Sequence, residues 1–199
     1  MAITTYSQLR SSIGSWLHRG DLQAISADLI MLAEVRLNRN LRVRQMEKDW
    51  SQSVGAQSVT LPNDWLEFVD EPQLDGQPLR FVSREEYKRR QKLQDYGRYY
   101  TIQGTRLYLG EPVGAPVALE ADYYARIPAL SDSTTTNWLL RDAPDVYLYG
   151  ALLEAAPYLN NDPRIDTWRA LLQVAINDLQ VSNDRAKYSG GTLAIGLPR

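Results

Sequence analysis

The chain contains no cysteine among its 199 residues. That excludes disulfides, thiol nucleophiles and thiolate metal sites, and it suits a protein that folds in a reducing cytosol. Histidine occurs once, as His18. One imidazole at a helix end, with no thiol anywhere, reads as a solvated cation rather than a general base. No stretch approaches the roughly 20 consecutive apolar residues that a membrane span requires. The first ten residues, MAITTYSQLR, lack a basic segment followed by an apolar run, so no signal peptide is expected. Neither sign of charge dominates. Lys and Arg number 22 against 24 Asp and Glu, a formal net charge of −2, which is not the footprint of a general nucleic-acid or membrane binder. The glycines spell neither a phosphate loop nor a dinucleotide fingerprint. Phenylalanine is scarce, with two copies against 12 tyrosines and five tryptophans. Amphipathic aromatics suit half-buried positions and interfaces.

What is present is enough for an ordinary core: 44% of residues are hydrophobic. The segment that organises the rest runs over residues 144–156. Val146, Tyr147, Leu148, Tyr149, Leu152, Leu153, Ala155 and Ala156 occupy every side of it, and only Asp145 and Glu154 carry charge. A helix apolar all round has to be wrapped by other elements. Pro144 and Asp145 suit its first turn, and Pro157 ends it. Gly150 and Ala151 lack bulk, which lets a neighbouring helix come close.

Two helices precede this segment. Thr5 caps the first, with Leu9, Ile13, Trp16 and Leu17 on one face and Gly20 at its end. Asp21 is the expected cap of the second, whose stripe is Leu22, Ile25, Leu29, Leu32 and Ala33. From Met46 the period turns from helical to alternating. Strands are expected at 45–50 and 58–61 around Gly55, at 99–102 and 106–109 around Gly104, and over 117–126. Asp75-Gly76 has hairpin chemistry, and Ser83 opens a short basic helix with capping-box spacing. After the central segment, Asp162-Pro163 starts a long helix with Ile165, Trp168, Leu172, Ala175, Ile176 and Leu179 on one face. The expected fold is therefore α+β. A helical bundle (1–44 and 131–188) holds an inserted, small antiparallel β domain (45–130), and an extended C-terminal tail (189–199) follows.

Three groups of residues bear on chemistry. Asp64, Glu67, Asp70 and Glu71 cluster, and paired carboxylates can hydrolyse glycosides; in a turn-rich β region, solvated acids are the plainer reading. Arg36, Arg39, Arg42 and Arg44 gather at the end of the second helix, where cations complement its dipole, with phosphate contact as the alternative. Lys88, Arg89 and Arg90, with Lys92, read as the wet face of an amphipathic helix or as a phosphate-facing surface. No cofactor is expected.

A longer pattern outweighs these. Residues 123–132 read YYARIPALSD, residues 136–140 TNWLL, and residues 143–158 APDVYLYGALLEAAPY; Trp168 follows. Earlier echoes are LRVRQME at 41–47 and VTLPNDWLE at 59–67. This pattern resembles the head-to-tail connector, or adaptor, proteins of tailed bacteriophages. The resemblance implies a structural virion protein rather than an enzyme, made in the bacterial host cytoplasm. It implies a homo-oligomeric ring, a dodecamer in such adaptors, docked below the portal protein. A downstream tail or neck protein would attach beneath, and genomic DNA would pass through without sequence-specific contact. The tail, Gly190, Gly191, Thr192, Leu193, Ala194, Ile195, Gly196, Leu197, Pro198 and Arg199, is the expected contact with portal or neighbouring subunit. The competing classes are a phage cell-wall glycan hydrolase using Glu67 and Asp70, and a DNA-binding module using the two basic clusters.

Overall fold

The computed structural model describes residues 3–159 and 162–188; the tail and its expected docking residues lie outside them. The fold is mixed α+β, with six α-helices and two sheets among the described residues. The helices are α1 (Tyr6–Leu17), α2 (Ser26–Asn40), α3 (Arg84–Lys92), α4 (Trp138–Asp142), α5 (Pro144–Glu154) and α6 (Arg164–Tyr188). The chain divides into two compact units. The first comprises the described residues of Met1–Gln45 and Ile127–Arg199, the second Met46–Arg126.

In the first unit, α1, α2, α4 and α6 all contact α5. Val146, Tyr147, Ala151 and Leu152 have no solvent exposure at all. Gly150 sets the closest approach: a Cβ there would lie 3.3 Å from the Cβ of Ala33 on α2. Pro144 occupies the first turn of α5, and after Glu154 the chain tightens into a 3-10 turn, Ala156–Tyr158. Tyr149 departs from expectation. It is half-buried, with its ring edge-on to Trp16 at 6.0 Å between centroids.

The helix boundaries correct several expectations. Thr5 caps α1 in a full capping box with Gln8, but the helix stops at Leu17, with His18 in the left-handed region, rather than at Gly20. Asp21 falls in a separate 3-10 turn (Gly20–Gln23), and α2 begins only at Ser26 without a side-chain cap. Trp16 and Leu32, expected on buried stripes, are exposed. The buried face of α2 is instead Leu29, Ile30, Ala33, Glu34 and Leu37. Short α4 was not legible as a helix; Asn137 caps it by accepting the Leu140 N–H at 2.9 Å.

The second unit holds β1 (Glu47–Val54), β2 (Ser58–Thr60), β3 (Trp65–Phe68), β4 (Gln73–Leu74), β5 (Gln77–Pro78), β6 (Arg80–Phe81), β7 (Tyr99–Gln103), β8 (Arg106–Leu109) and β9 (Val117–Ala125). In one sheet, β9 pairs with β1 along one edge, and with β3 and β4 along the other; β5 follows β4. The other runs β2-β8-β7-β6, and its β6–β7 pair is parallel, an exception to the antiparallel expectation. Gln45, expected to open the first strand, sits in a 3-10 turn (Arg44–Met46). Asp75 and Gly76 form the two-residue loop between β4 and β5, both at positive φ, as a type I′ turn demands. Val59, Leu79, Leu107, Leu109 and Leu119 centre the core of this unit.

The enclosure of α5 gives a direct test. Leu152→Asp places an unpaired charge at a fully buried position, a cost of several kcal/mol that is comparable to a domain's whole stability. No soluble protein is expected from it. Tyr149→Asp, at the half-exposed position, yields folded protein with a lowered melting temperature. Purification of a folded Leu152→Asp variant contradicts the buried role of α5.

Candidate functional site

The polar centre of the first unit is built from residues far apart in the chain. Glu34 on α2 and Tyr147 on α5 are both buried. The Tyr147 hydroxyl donates to Glu34 Oε1 at 3.0 Å, and the Leu130 N–H donates to the same oxygen at 2.8 Å. Asn137 Nδ2 donates to the Tyr147 hydroxyl at 2.6 Å and to the Pro128 carbonyl at 2.7 Å. One turn along α2 from Glu34, Asn38 Oδ1 accepts the Ile127 N–H at 2.8 Å. The extended chain 127–130 has no strand partner, and these side chains satisfy its backbone. Burial pushes the Glu34 carboxyl above its ordinary 4.5, partly offset by the Leu130 and Tyr147 hydrogen bonds. Burial and the neighbouring Glu34 raise the Tyr147 hydroxyl as well.

The basic residues fall into two sets, one in each unit. Arg36 pairs with Glu154 at 2.7 Å. Arg42 Nη1 donates to the carbonyls of Asn38 and Leu41. Arg39 is exposed. Arg44 borders a hollow of about 370 Å³ that Asp142, Asp145 and Asp178 also line, and its N–H donates to Asn183 at 2.7 Å. On α3, Ser83 caps the helix, and Glu86, instead of closing a capping box, pairs with Arg89 at 2.6 Å and Arg90 at 2.7 Å. Arg90 also lies 5.1 Å from the centre of the Tyr99 ring. Lys88 is exposed. His18 is exposed at the end of α1.

Of the clustered acids Asp64, Glu67, Asp70 and Glu71, Asp64 is held by structural partners. Asp64 accepts from Lys48 at 2.6 Å and from the Tyr123 hydroxyl at 2.9 Å. Burial pushes the Asp64 carboxyl up, but these hydrogen bonds outweigh it and hold it below its usual value. That is the opposite of what a general acid at neutral pH needs. Burial and Asp64 together push the Tyr123 hydroxyl up to about 12. Sequence reasoning missed the acids of the β1–β9 ladder. Asp49 and Asp122 stand directly opposite each other there, with Ser51 opposite Glu120 beside them. Desolvation, with Asp49, Asp70 and Glu47 nearby, raises the Asp122 carboxyl. The alternation of β1 and β9 puts these acids on one outward face. Among the described residues, no group of three His, Asp or Glu side chains is placed to hold a metal ion, and no helix is long and apolar enough to cross a membrane.

Arg36, Arg89 and Arg90 paired with carboxylates, Asp64 held by hydrogen bonds and apolar helix residues turned outward fit a structural, assembly-forming protein. Comparison with known families agrees: the model described as SU10 adaptor protein matches residues 4–195. The chain belongs to the SU10 adaptor protein family, and is thus a phage adaptor whose partners are head and tail components of the virion. A comparison with curated proteins gave no match.

The buried centre predicts a pH dependence. A carboxyl raised on folding binds protons more tightly in the folded state, so its contribution falls as pH rises from about 4.5 through the raised value. Relative to Glu34→Gln, the wild type therefore loses stability as pH rises across that window. Denaturant titrations at several pH values check this; parallel profiles for the two proteins contradict it. Tyr147→Phe strands the Glu34 and Asn137 groups and lowers stability by about 1–3 kcal/mol.

Proposed function

We propose that this adaptor forms a ring, a dodecamer, beneath the portal at the capsid vertex, joins it to the tail or neck, and leaves a bore for genomic DNA. The observation that carries this reading is the family match over residues 4–195. In it the units have distinct tasks: a helical bundle makes the ring, and the β unit is inserted between its second helix and residue 127. The acidic face of the β1–β9 ladder supports the conduit, because each phosphate neutralised by a cation adds affinity and slows passage. The pairing of Arg36, Arg89 and Arg90 with carboxylates supports it in the same way.

The tail residues 189–199 complete the proposal. In it these residues contact the portal or a neighbouring subunit, and 192–195 have the composition to add an extended strand there. The free protein is at most weakly self-associated. Rings appear once a symmetric portal holds one copy and raises its neighbour's effective concentration.

Deleting residues 189–199 tests both statements. Melting temperature is expected to stay nearly unchanged while portal binding is lost or much weakened. Undiminished ring formation on portal by the truncated chain contradicts the tail's role. A stable large ring of full-length protein without portal, seen by light scattering, contradicts templated assembly.

A further inference from the structure

The first unit leaves two apolar helix faces uncovered. On α2, Met31, Leu32 and Val35 are 53%, 45% and 42% exposed; on α6, Leu171, Val174 and Val181 are 37%, 58% and 39% exposed. At 100° per residue the three α2 residues point away from its buried row, Leu29, Ala33 and Leu37. The α6 stripe lies on one side of its buried residues Trp168, Leu172 and Ala175, while Ile176, on the other side, borders the narrow slot shared with Ala33 and Leu37 of α2.

The two helices run the same way. Ala33 and Leu37 share that slot with Leu172 and Ile176, and beyond α2 the Arg44 N–H meets Asn183. The last of these pairs, Arg44 and Asn183, is separated by 139 residues in the chain. For a ring whose axis lies along these helices, rotation leaves heights unchanged between copies. Applied to the outward faces, the same offset sets Asp28, Leu32, Val35 and Arg39 of one copy beside Thr167, Leu171, Val174 and Asp178 of the next. Both rows have the 4-3-4 spacing of a helix–helix seam. Apolar residues then meet apolar, and Arg39 meets Asp178. The antiparallel alternative brings Asp28 against Asp178, which repels.

We propose that the outer face of α2 in one copy packs, parallel and level, on the outer flank of α6 in a second copy, as the head-to-tail contact of the ring. The inference rests on the ring reading above and names the surfaces that close it. These are the two different, complementary patches that a heterologous interface requires.

Because the chain has no cysteine, introduced thiols report without background. Full-length Leu32→Cys and Leu171→Cys variants, at exposed positions, are mixed in the presence of portal, on which the ring assembles, and oxidised. A disulfide-linked dimer is expected from the mixture and little from either variant alone. Adding Arg39→Glu to the first variant lowers the yield about tenfold, and Asp178→Arg in the second restores it, as for a close interfacial charge pair. Absence of a link in the mixture, or equal linking by Leu32→Cys alone, overturns the proposal. Electron microscopy of the wild type on portal separates the two ideas. Rings without a 32–171 link refute this contact and leave the ring standing, whereas linked chains that form no ring on portal refute the ring.

Discussion

The first unit depends on one buried hydrogen-bonded group: Tyr147 between Glu34 and Asn137. Apolar burial alone would hold α5 among its neighbours, but it is non-directional and tolerates slippage. The hydroxyl is different. It both donates and accepts, and misplacing it leaves a carboxylate and an amide unsatisfied in a low dielectric, which is far costlier than a lost methyl contact. Through it α2, the 127–130 segment, α4 and α5 share one arrangement. The long TNWLL and APDVYLYG blocks have a physical reason here: Asn137 caps α4 and grips Tyr147 in the same stroke.

The same device governs how an intervening unit is tolerated. The chain leaves the first unit just past Arg44, whose N–H is held by buried Asn183, and rejoins it at Ile127, whose N–H is held by Asn38. Both crossings are fixed by side-chain amides on helices of the first unit. Closing a long excursion costs only slowly more entropy as it lengthens, so a folded unit of its own can occupy the gap. The helices are then committed inward by α5, while apolar residues on the outer faces of α2 and α6 stay exposed.

Much of this was legible in the chain, for identifiable reasons. A segment apolar on all sides has one solution, and α5 took it. Asp75-Gly76 and Thr5 act locally, through neighbours in sequence, and both behave as read. Trp16 and Leu32 were misjudged because period shows which residues share a face, not whether anything covers it; their exposure became the more useful fact. The two-residue strands β4, β5 and β6 carry too few residues to show alternation. Neither could the Glu34–Tyr147 contact be read, since its partners are 113 residues apart and each alone is an ordinary helix residue. The facing acids Asp49 and Asp122 were hidden for the same reason, because register exists only once the strands pair.

Native-state hydrogen exchange measures the central role of this group most directly. Amides of α5 should be the slowest to exchange in the first unit, with the Leu130 amide protected beside them despite lying outside regular structure. In Tyr147→Phe, protection should fall together in α2, α4 and residues 127–130, as one cooperative unit. Independent loss confined to α5, or a Leu130 amide that exchanges as freely as an exposed loop, would contradict the account.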